Sequence, residues 1–391
     1  MPVLPRPTPG QGAVAWVAEH LRHLSSDVPR ASPVPGGQSA ADAALASLDL
    51  TGYARRRSQV LPESARGASR LSPYVRHGLL TLPQVWAAAG RAPAVDARKY
   101  RDELLWQEYA RHLYARLGSA LGSSLRSEPP VTGTGDPWAR EMACMDLAVG
   151  MLEDQGWLVN QTRMWLASQW TVRGGRDWRE GEDLMYRHLL DGSRAANRLG
   201  WQWTTGAGAG KAYGFSRWQV EKRAPGLCDR CPLAAACPVQ DWPDVAPATP
   251  VSPPAGLAGG VTDAGPAVPL VAGEPDVVWL TAESLGSDDP ALAAHPGLAA
   301  VFVFDEPLLR RLRLSGKRLV FLAQTVAELD VEVRLGDPVD ELAGRRPAVT
   351  FAPVPGFRRR RSAVDVAVLH PWPWLRRPGS GSLRSFSAWS R

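Results

Sequence analysis

The sequence predicts a multi-domain protein in which an all-α domain is followed by a small α/β domain with a parallel, Rossmann-like sheet. Apolar residues recur at three- and four-residue steps between residues 41 and 212, clearly in 100–117 and 138–152, as expected for amphipathic helices. Later, short apolar runs at 277–280 and 301–304 alternate with helix-like stretches at 289–294 and 306–329. Such alternation is typical of a parallel sheet covered by helices.

The segments that lack these patterns give the predicted domain boundaries. Residues 1–35 are a Pro- and Gly-rich lead-in with one short helix near 13–24, and the helical domain covers 36–242. Residues 243–275 are mostly Pro, Ala, Gly and Val without Lys or Arg, which predicts a linker. The α/β domain then occupies 276–391.

Composition indicates a globular protein and favours a polyanionic partner. The formal net charge is +6 over 391 residues, as in many proteins that bind nucleic acid. No apolar run approaches the roughly 20 residues needed to span a bilayer, and no secretory signal is recognisable. We therefore expect a cytoplasmic monomer with no membrane partner. Tryptophan is abundant, 16 against 7 Phe and 7 Tyr, and could serve packing, electron transfer or base stacking.

The four cysteines are spaced like thiolate ligands. Cys228, Cys231 and Cys237 follow a C-x2-C-x5-C pattern, and Cys144 is the remaining candidate. An even count in a cytosolic chain does not by itself predict disulfides. The spacing suits a [4Fe–4S] cluster or zinc, with free thiols as the third possibility.

Six short motifs follow one another along the helical half. They read S-R-L-S-P-Y, E-L-L-W-Q-E-Y, W-L-V-N-Q-T-R-M, D-W-R-E-G-E, D-G-S-R-A-A-N and G-W-Q-W, at residues 69–74, 103–109, 157–164, 177–182, 191–197 and 200–203. Together they resemble the flavin-binding region of the DNA photolyase/cryptochrome family. The resemblance covers residues 36–220 and departs from the family pattern at Gln107 (usually Arg), Val159 (usually His) and Ser193 (usually Asp).

The resemblance implies that FAD is the cofactor. Amides and hydroxyls at a helix start can hold the pyrophosphate. Asp191 would pair with Arg163 to shape the pocket, and Asn197 would face the flavin ring. The implied cofactor-binding residues are Tyr53, Ser69, Arg70, Leu71, Ser72, Tyr100, Gln107, Asn160, Arg163, Asp191, Ser193 and Asn197.

The resemblance also implies a reaction and a partner, UV-damaged DNA. Excited reduced FAD would donate an electron to a cyclobutane pyrimidine dimer that has been flipped out of the duplex. The implied catalytic residues are Glu103, Trp106, Met164, Asn197 and Trp203. Trp201 and Trp178 match the inner and middle members of an electron-transfer chain. Its outermost tryptophan has no match, and Trp138 or Trp170 could substitute.

Two further resemblances concern the cysteines and the second half. One bacterial branch of the family carries a [4Fe–4S] cluster, and Cys144 occupies a comparable place, which favours the cluster over zinc. Residues 277–295 and 381–389 resemble the start and the end of the family's usual N-terminal α/β domain, so the chain has the order expected for a circular permutation. The family's charged residues are replaced at 281–285, which makes an antenna chromophore doubtful.

Three functions follow from these observations. The first is a deoxyribodipyrimidine photo-lyase that repairs cyclobutane dimers. The second is a cryptochrome-like blue-light receptor that binds FAD without repair, which Gln107 and the missing outer tryptophan allow. The third is a DNA-binding scaffold that has lost FAD.

Overall fold

The computed structural model describes residues 3–10 and 12–391. Helices dominate residues 38–223, and a six-stranded sheet lies within residues 270–370. Both parts agree with the predicted class, a helical domain together with a parallel-sheet α/β domain. Among the described residues, no helix combines the length and the apolar character needed to cross a bilayer.

The helical part surrounds one long helix that buries a stripe of apolar and aromatic side chains, among them Tyr100 and Leu104. A first helix, α1, precedes this part at Gly12–His20. The helices that follow are α2 (Gln38–Ala46), α3 (Tyr53–Arg56), α4 (Ser72–Arg76), α5 (Leu82–Ala88), α6 (Ala94–Leu117, the long helix), α7 (Ala143–Gly150), α8 (Asn160–Ala167), α9 (Trp178–His188), α10 (Arg194–Thr205) and α11 (Arg217–Arg223).

The α/β part is a mostly parallel sheet with helices between its strands. A two-stranded antiparallel ribbon, β1 (Ser127–Glu128) with β2 (Thr249–Pro250), precedes it. The sheet strands are β3 (Leu270–Val271), β4 (Val277–Leu280), β5 (Ala300–Asp305), β6 (Val331–Gly336), β7 (Pro347–Thr350) and β8 (Val368–His370), in the order β3-β8-β7-β4-β5-β6. Only β3 is antiparallel to its neighbour among these described strands. The helices are α12 (Pro290–Ala294), α13 (Glu306–Leu312), α14 (Gly316–Ala327), α15 (Pro338–Glu341), α16 (Pro355–Arg361) and α17 (Phe386–Ser390).

Two predicted elements differ from the structure. The single helix expected at 306–329 is two helices, because Arg313 adopts a left-handed conformation (φ 49°) that ends α13, and α14 begins after Ser315. The segment 243–275 contributes β2 and the sheet-edge strand β3. The strands predicted at 277–280 and 301–304 are confirmed as β4 and β5.

Each end of the chain packs against the opposite half. Leu4 donates its backbone N–H to Val333 of β6 at 2.9 Å, and α1 packs on α14. Trp16 of α1 lies 5.6 Å, centroid to centroid, from Phe304 of β5. At the other end, α17 packs on α6. The predicted lead-in is therefore part of the core beneath the sheet.

The loop after β4 approaches the helical part closely. Gly78 has φ +72°, and a Cβ at this position would lie 2.4 Å from the carbonyl oxygen of Glu283. The buried imidazole of His77 lies 2.7 Å from the carbonyl oxygen of Ala282 and 3.2 Å from that of Leu190. This contact places acidic Glu283 beside the helices that form the site described next.

Candidate functional site

A polar cavity lies where the start of α4, the middle of α6, α8 and the start of α10 meet the α/β part. It is lined by Ser72, Arg76, Gln107, Arg111, Tyr114, Arg163, Asp191, Ser193, Ala195, Ala196, Glu283, Pro353, Val354 and Trp372. Five of the predicted cofactor-binding residues are therefore brought together: Ser72, Gln107, Arg163, Asp191 and Ser193.

An ion pair forms one wall of this cavity. Arg163 donates from Nη2 to Oδ2 of Asp191 at 2.7 Å, and from Nε to the carbonyl oxygen of Leu158 at 3.2 Å. This is the pair that the family resemblance implies. Asp191 is buried, so losing this arginine would leave its carboxyl group without its ion-pair partner.

Two buried polar atoms near this wall have no hydrogen-bond partner within the described residues. They are Oδ1 of Asp191 and Nδ2 of Asn197. Asn197 lies on α10 directly after Ala195 and Ala196, which line the cavity. Because buried polar groups are nearly always paired, an acceptor and a donor left open here suit a polar ligand. The two atoms thus fit a ligand that both donates and accepts hydrogen bonds.

A second group of predicted cofactor-binding residues lies on α3, on α6 and in the segment before α4. The rings of Tyr53 and Tyr100 meet edge to face at 4.9 Å, and the Tyr100 hydroxyl donates to Oγ of Ser69 at 2.9 Å. Burial raises the pKa of Tyr100 to about 12, so the phenol stays protonated. Leu71 is buried, while Arg70 has φ 57° and places its guanidinium 5.1 Å from the Trp157 ring centroid.

The predicted substrate-contacting residues do not line the cavity. Glu103 is held by Lys99 at 2.8 Å and Arg57 at 3.3 Å. Trp106 is stacked by Phe386 of α17, with centroids 4.1 Å apart and an interplanar angle of 9°. One face of the Trp106 indole is therefore covered by the C-terminal segment.

Of the other two substrate-contacting residues, Met164 is partly buried and Trp203 is exposed. Nδ2 of Asn160 donates to Sδ of Met164 at 3.6 Å, one helical turn along α8. Trp203 is 43% exposed and packs on Tyr213 with centroids 5.8 Å apart. These side chains could contact a large partner from outside without entering the cavity.

Arg76, Arg111 and Glu283 line the cavity but were missed by the sequence analysis. Arg76 pairs with Glu283 of the α/β part at 3.0 Å. Arg111 lies one helical turn after Gln107, donates to the carbonyl oxygen of Val75 at 3.2 Å, and stacks on the Trp372 ring at 5.4 Å. The i, i+4 spacing from Gln107 was the available signal for Arg111. The Glu283 contact joins residues 207 positions apart and leaves no local signal.

Several buried tryptophans lie near one another behind α10. A Cβ placed on Gly181 would lie 2.3 Å from the Trp201 ring and 2.8 Å from the Trp170 ring, so only a glycine separates the two. Trp170 in turn meets Trp138 edge to face at 4.9 Å. Trp178, the predicted middle member, is buried and donates from Nε1 to Oγ of Ser124 at 3.1 Å.

All four cysteines line a second, apolar cavity with about 350 Å³ of empty space. Cys144 lies in the first turn of α7, and the other three follow α11. Burial and the neighbouring thiols raise the pKa of Cys144 to about 12. Throughout residues 3–10 and 12–391, no group of three or more His, Cys, Asp or Glu side chains is arranged to hold a metal ion, so the structure does not support the metal site predicted at these four cysteines.

The described residues thus form a helical part with a polar cavity, packed against a mostly parallel sheet. Residues 133–224 match the model of the FAD binding domain of DNA photolyase. Within that segment the chain is similar to DNA photolyases.

Curated relatives include the deoxyribodipyrimidine photo-lyase of Synechococcus sp., 30% identical over 209 residues that make up 48% of this chain and 42% of the relative. A deoxyribodipyrimidine photo-lyase of Thermus thermophilus is 31% identical over 207 residues, 48% of this chain and 47% of the relative. This chain therefore spans less than half the length of these relatives.

Similar solved structures include a class III photolyase from Agrobacterium tumefaciens, with a TM-score of 0.42, 24% identity, and coverage of 55% of this chain and 46% of that one. A Synechocystis sp. cryptochrome has a TM-score of 0.44 and 20% identity, with coverage of 50% and 46%. Repair enzymes and a cryptochrome thus both appear among its neighbours.

Proposed function

We propose that this protein is a deoxyribodipyrimidine photo-lyase that repairs cyclobutane pyrimidine dimers in UV-damaged DNA, acting as a cytoplasmic monomer. The observation that carries the proposal is the cavity wall formed by Arg163 and Asp191, beside the open polar atoms of Asp191 and Asn197. The wall lies in the segment that matches the FAD binding domain of DNA photolyase. Reduced FAD, when bound, supplies the electron that splits the dimer after light absorption.

The chain's own residues hold and orient that cofactor. Ser72 at the start of α4, with the neighbouring Ser69, offers hydroxyls to phosphate oxygens. Arg163 holds one carboxylate oxygen of Asp191, and the other oxygen of Asp191 accepts a hydrogen bond from the ligand. Asn197 offers its unpartnered amide N–H to the flavin ring.

Four residues are proposed to contact the damaged DNA: Glu103, Trp106, Met164 and Trp203. A dinucleotide must leave the duplex stack to reach a buried cofactor, and aromatic rings stabilise unstacked bases. Exposed Trp203 is available for such stacking. The net charge of +6 supports binding to the phosphate backbone.

Trp201 and Trp178 are the proposed path for reducing oxidised FAD, with Trp170 and Trp138 as an alternative branch. The short separation of Trp201, Trp170 and Trp138 supports the branch. Replacing Trp170 with Phe should slow photoreduction of the oxidised flavin, measured by absorbance under blue light. Equal rates in the variant and the unchanged protein would remove Trp170 from the path.

We further propose that Cys144, Cys228, Cys231 and Cys237 bind a [4Fe–4S] cluster. All four thiols line one apolar cavity, which supports a shared centre. A single zinc ion would draw four sulfurs to about 2.3 Å from one point. In a [4Fe–4S] cluster each thiolate binds a different iron, so the four sulfurs stand farther apart than around one zinc ion.

We also propose that the chain is a circular permutation of the usual domain order. The packing of α1 on α14 and of α17 on α6 supports this, because each end lies on the half to which the unpermuted order would connect it. A rearranged chain with residues 276–391 placed before residues 3–275 should fold and bind flavin. A rearranged chain that is soluble but binds no FAD would contradict the proposal.

A cryptochrome-like light receptor is the second candidate. It is favoured by Phe386, which covers one face of Trp106, and by Glu103, whose carboxylate is already paired with Lys99 and Arg57. Both contacts would have to open for substrate binding at these two residues.

Blue-light repair of a UV-irradiated oligonucleotide, by protein loaded with reduced FAD, separates the two candidates. A photolyase restores the dimers to pyrimidines only in the light. A receptor holds flavin but leaves the dimer content unchanged, and binds damaged and undamaged DNA equally.

A further inference from the structure

Three aromatic side chains outside the cavity form a continuous row that starts at Trp203. Tyr213 packs on Trp203 with centroids 5.8 Å apart, and Trp242 meets Tyr213 edge to face at 5.7 Å. Trp203 is 43% exposed and Trp242 is 51% exposed, which is unusual for two neighbouring indoles in a globular protein.

The middle ring is fixed from behind. The Tyr213 hydroxyl accepts hydrogen bonds from Nε2 of Gln161 on α8 and from Nε2 of Gln219 on α11, both at 3.1 Å. The Tyr213 backbone N–H donates to the carbonyl oxygen of Thr204 at the end of α10 at 2.7 Å. Three helices therefore hold one tyrosine in place, and its ring positions the indoles on either side.

The segment that carries Trp242 is also anchored. Arg173 donates to the carbonyl oxygens of Phe215, Pro238 and Asp241, which ties the loop before Trp242 to the loop after Tyr213. Gly214 has no room for a Cβ, since one would lie 2.4 Å from Pro243 and 2.9 Å from the Trp242 ring. The exposed indole therefore belongs to an ordered surface.

We propose that Tyr213 and Trp242 extend the base-binding surface of Trp203, so that the row stacks unpaired bases of the DNA strand opened around the damaged site. This inference rests on the proposed repair function and adds to it a surface for the neighbouring bases. An ordered aromatic row with open ring faces suits nucleobases, because every base presents a π-face.

Continuity and charge favour nucleic acid as the occupant. The row is continuous with Trp203, the proposed contact to the flipped dinucleotide. Lys211, two residues before Tyr213, is exposed and forms no ion pair or hydrogen bond with any residue that the structure describes. Its ammonium group is free to meet a phosphate beside the stacked bases.

The test compares Trp242→Ala with Trp218→Ala. Trp218 is a matched control, because it is 62% exposed, lies under Lys222, and is outside the row. Affinity is measured by fluorescence anisotropy with labelled single-stranded oligothymidylate, undamaged and UV-irradiated, in the dark and at fixed salt. Flavin content and melting temperature show whether each variant keeps its fold.

We expect Trp242→Ala to weaken binding of both probes roughly tenfold, within the range for the loss of one base–aromatic stack, and Trp218→Ala to change it less than about twofold. Tyr213→Phe should fall between them, since the ring remains but loses its two amide partners. Equal affinities for the Trp242 and Trp218 variants would overturn the inference.

This outcome is separable from the repair function. If the unchanged protein repairs dimers while Trp242→Ala binds DNA normally, the base-binding role of the row is refuted and the repair function stands. If no repair occurs but Trp242→Ala selectively loses affinity for single strands, the row stands without the repair function.

Discussion

The cavity between the two parts of the protein differs in chemistry from the cavity beside the cysteines. The first has charged and polar side chains in its wall, among them the Arg163–Asp191 pair. The second presents thiols among apolar side chains such as Val220 and Leu227. The first is the proposed FAD site and the second the proposed cluster site. If both proposals hold, variants should remove flavin and iron separately.

The largest expected effect is on metal content. Cys228→Ala should lose nearly all bound iron and acid-labile sulfide, because each iron of a [4Fe–4S] cluster needs its own thiolate. Flavin content should remain near that of the unchanged protein. Met142→Leu is the matched control, since it alters the same cavity wall and leaves the four thiols intact. Iron absent from the anaerobically purified unchanged protein would refute the cluster.

Arg163→Ala should affect the other cavity. Removing Arg163 takes a charge-assisted hydrogen bond out of the cavity wall, a loss of about 1.5–3 kcal/mol, so we expect FAD affinity to fall roughly 10- to 100-fold. Equilibrium dialysis against FAD measures the change, and iron content should not move. Arg163→Lys retains the positive charge and should lose less FAD affinity than Arg163→Ala. Arg310→Ala, which breaks an exposed i, i+4 pair with Glu306, is the surface control. Unchanged FAD affinity in Arg163→Ala would place the cofactor elsewhere.

A third effect concerns the contact between the two halves, away from both cavities. Burial lowers the pKa of Lys317 to about 8, and its Nζ lies 3.1 Å from Nδ1 of His188. Between pH 8 and 10.5 the unfolded chain holds this proton and the folded chain releases it, so stability should rise with pH across that window.

Lys317→Met removes this dependence. The variant should be more stable than the unchanged protein by up to about 3 kcal/mol at pH 7, with the difference vanishing by about pH 10.5. Urea unfolding at several pH values measures it. A difference in the free energy of unfolding that stays constant from pH 7 to about pH 10.5 would contradict the proton loss assigned to Lys317.

The smallest expected effect concerns the contribution of Arg111 and Gln107 to FAD binding in the polar cavity. Arg111→Gln should weaken FAD binding about tenfold, since a charge-assisted hydrogen bond to phosphate contributes about 1.5–3 kcal/mol. Gln107→Arg in that background should restore most of the affinity, because both side chains line the cavity one helical turn apart. If the double variant binds no better than Arg111→Gln, the two positions do not share a ligand group.

Local sequence pattern was enough for much of the fold and part of the site. Apolar runs located β4 and β5, and six motifs identified the helices that bring Ser72, Arg163 and Asp191 together. The break at Arg313 was not foreseen, because a left-handed arginine has no composition signal. The stacking of Phe386 on Trp106 was also missed, since a contact across 280 residues depends on how the halves pack.

The central claim is that the cavity beside Arg163 and Asp191 holds FAD. The most direct measurement is the flavin content of the purified protein after incubation with FAD and removal of the excess, followed by an absorption spectrum. The account predicts about one tightly bound FAD per chain, and its loss in Arg163→Ala while the fold is retained. A folded protein that retains no flavin would contradict it.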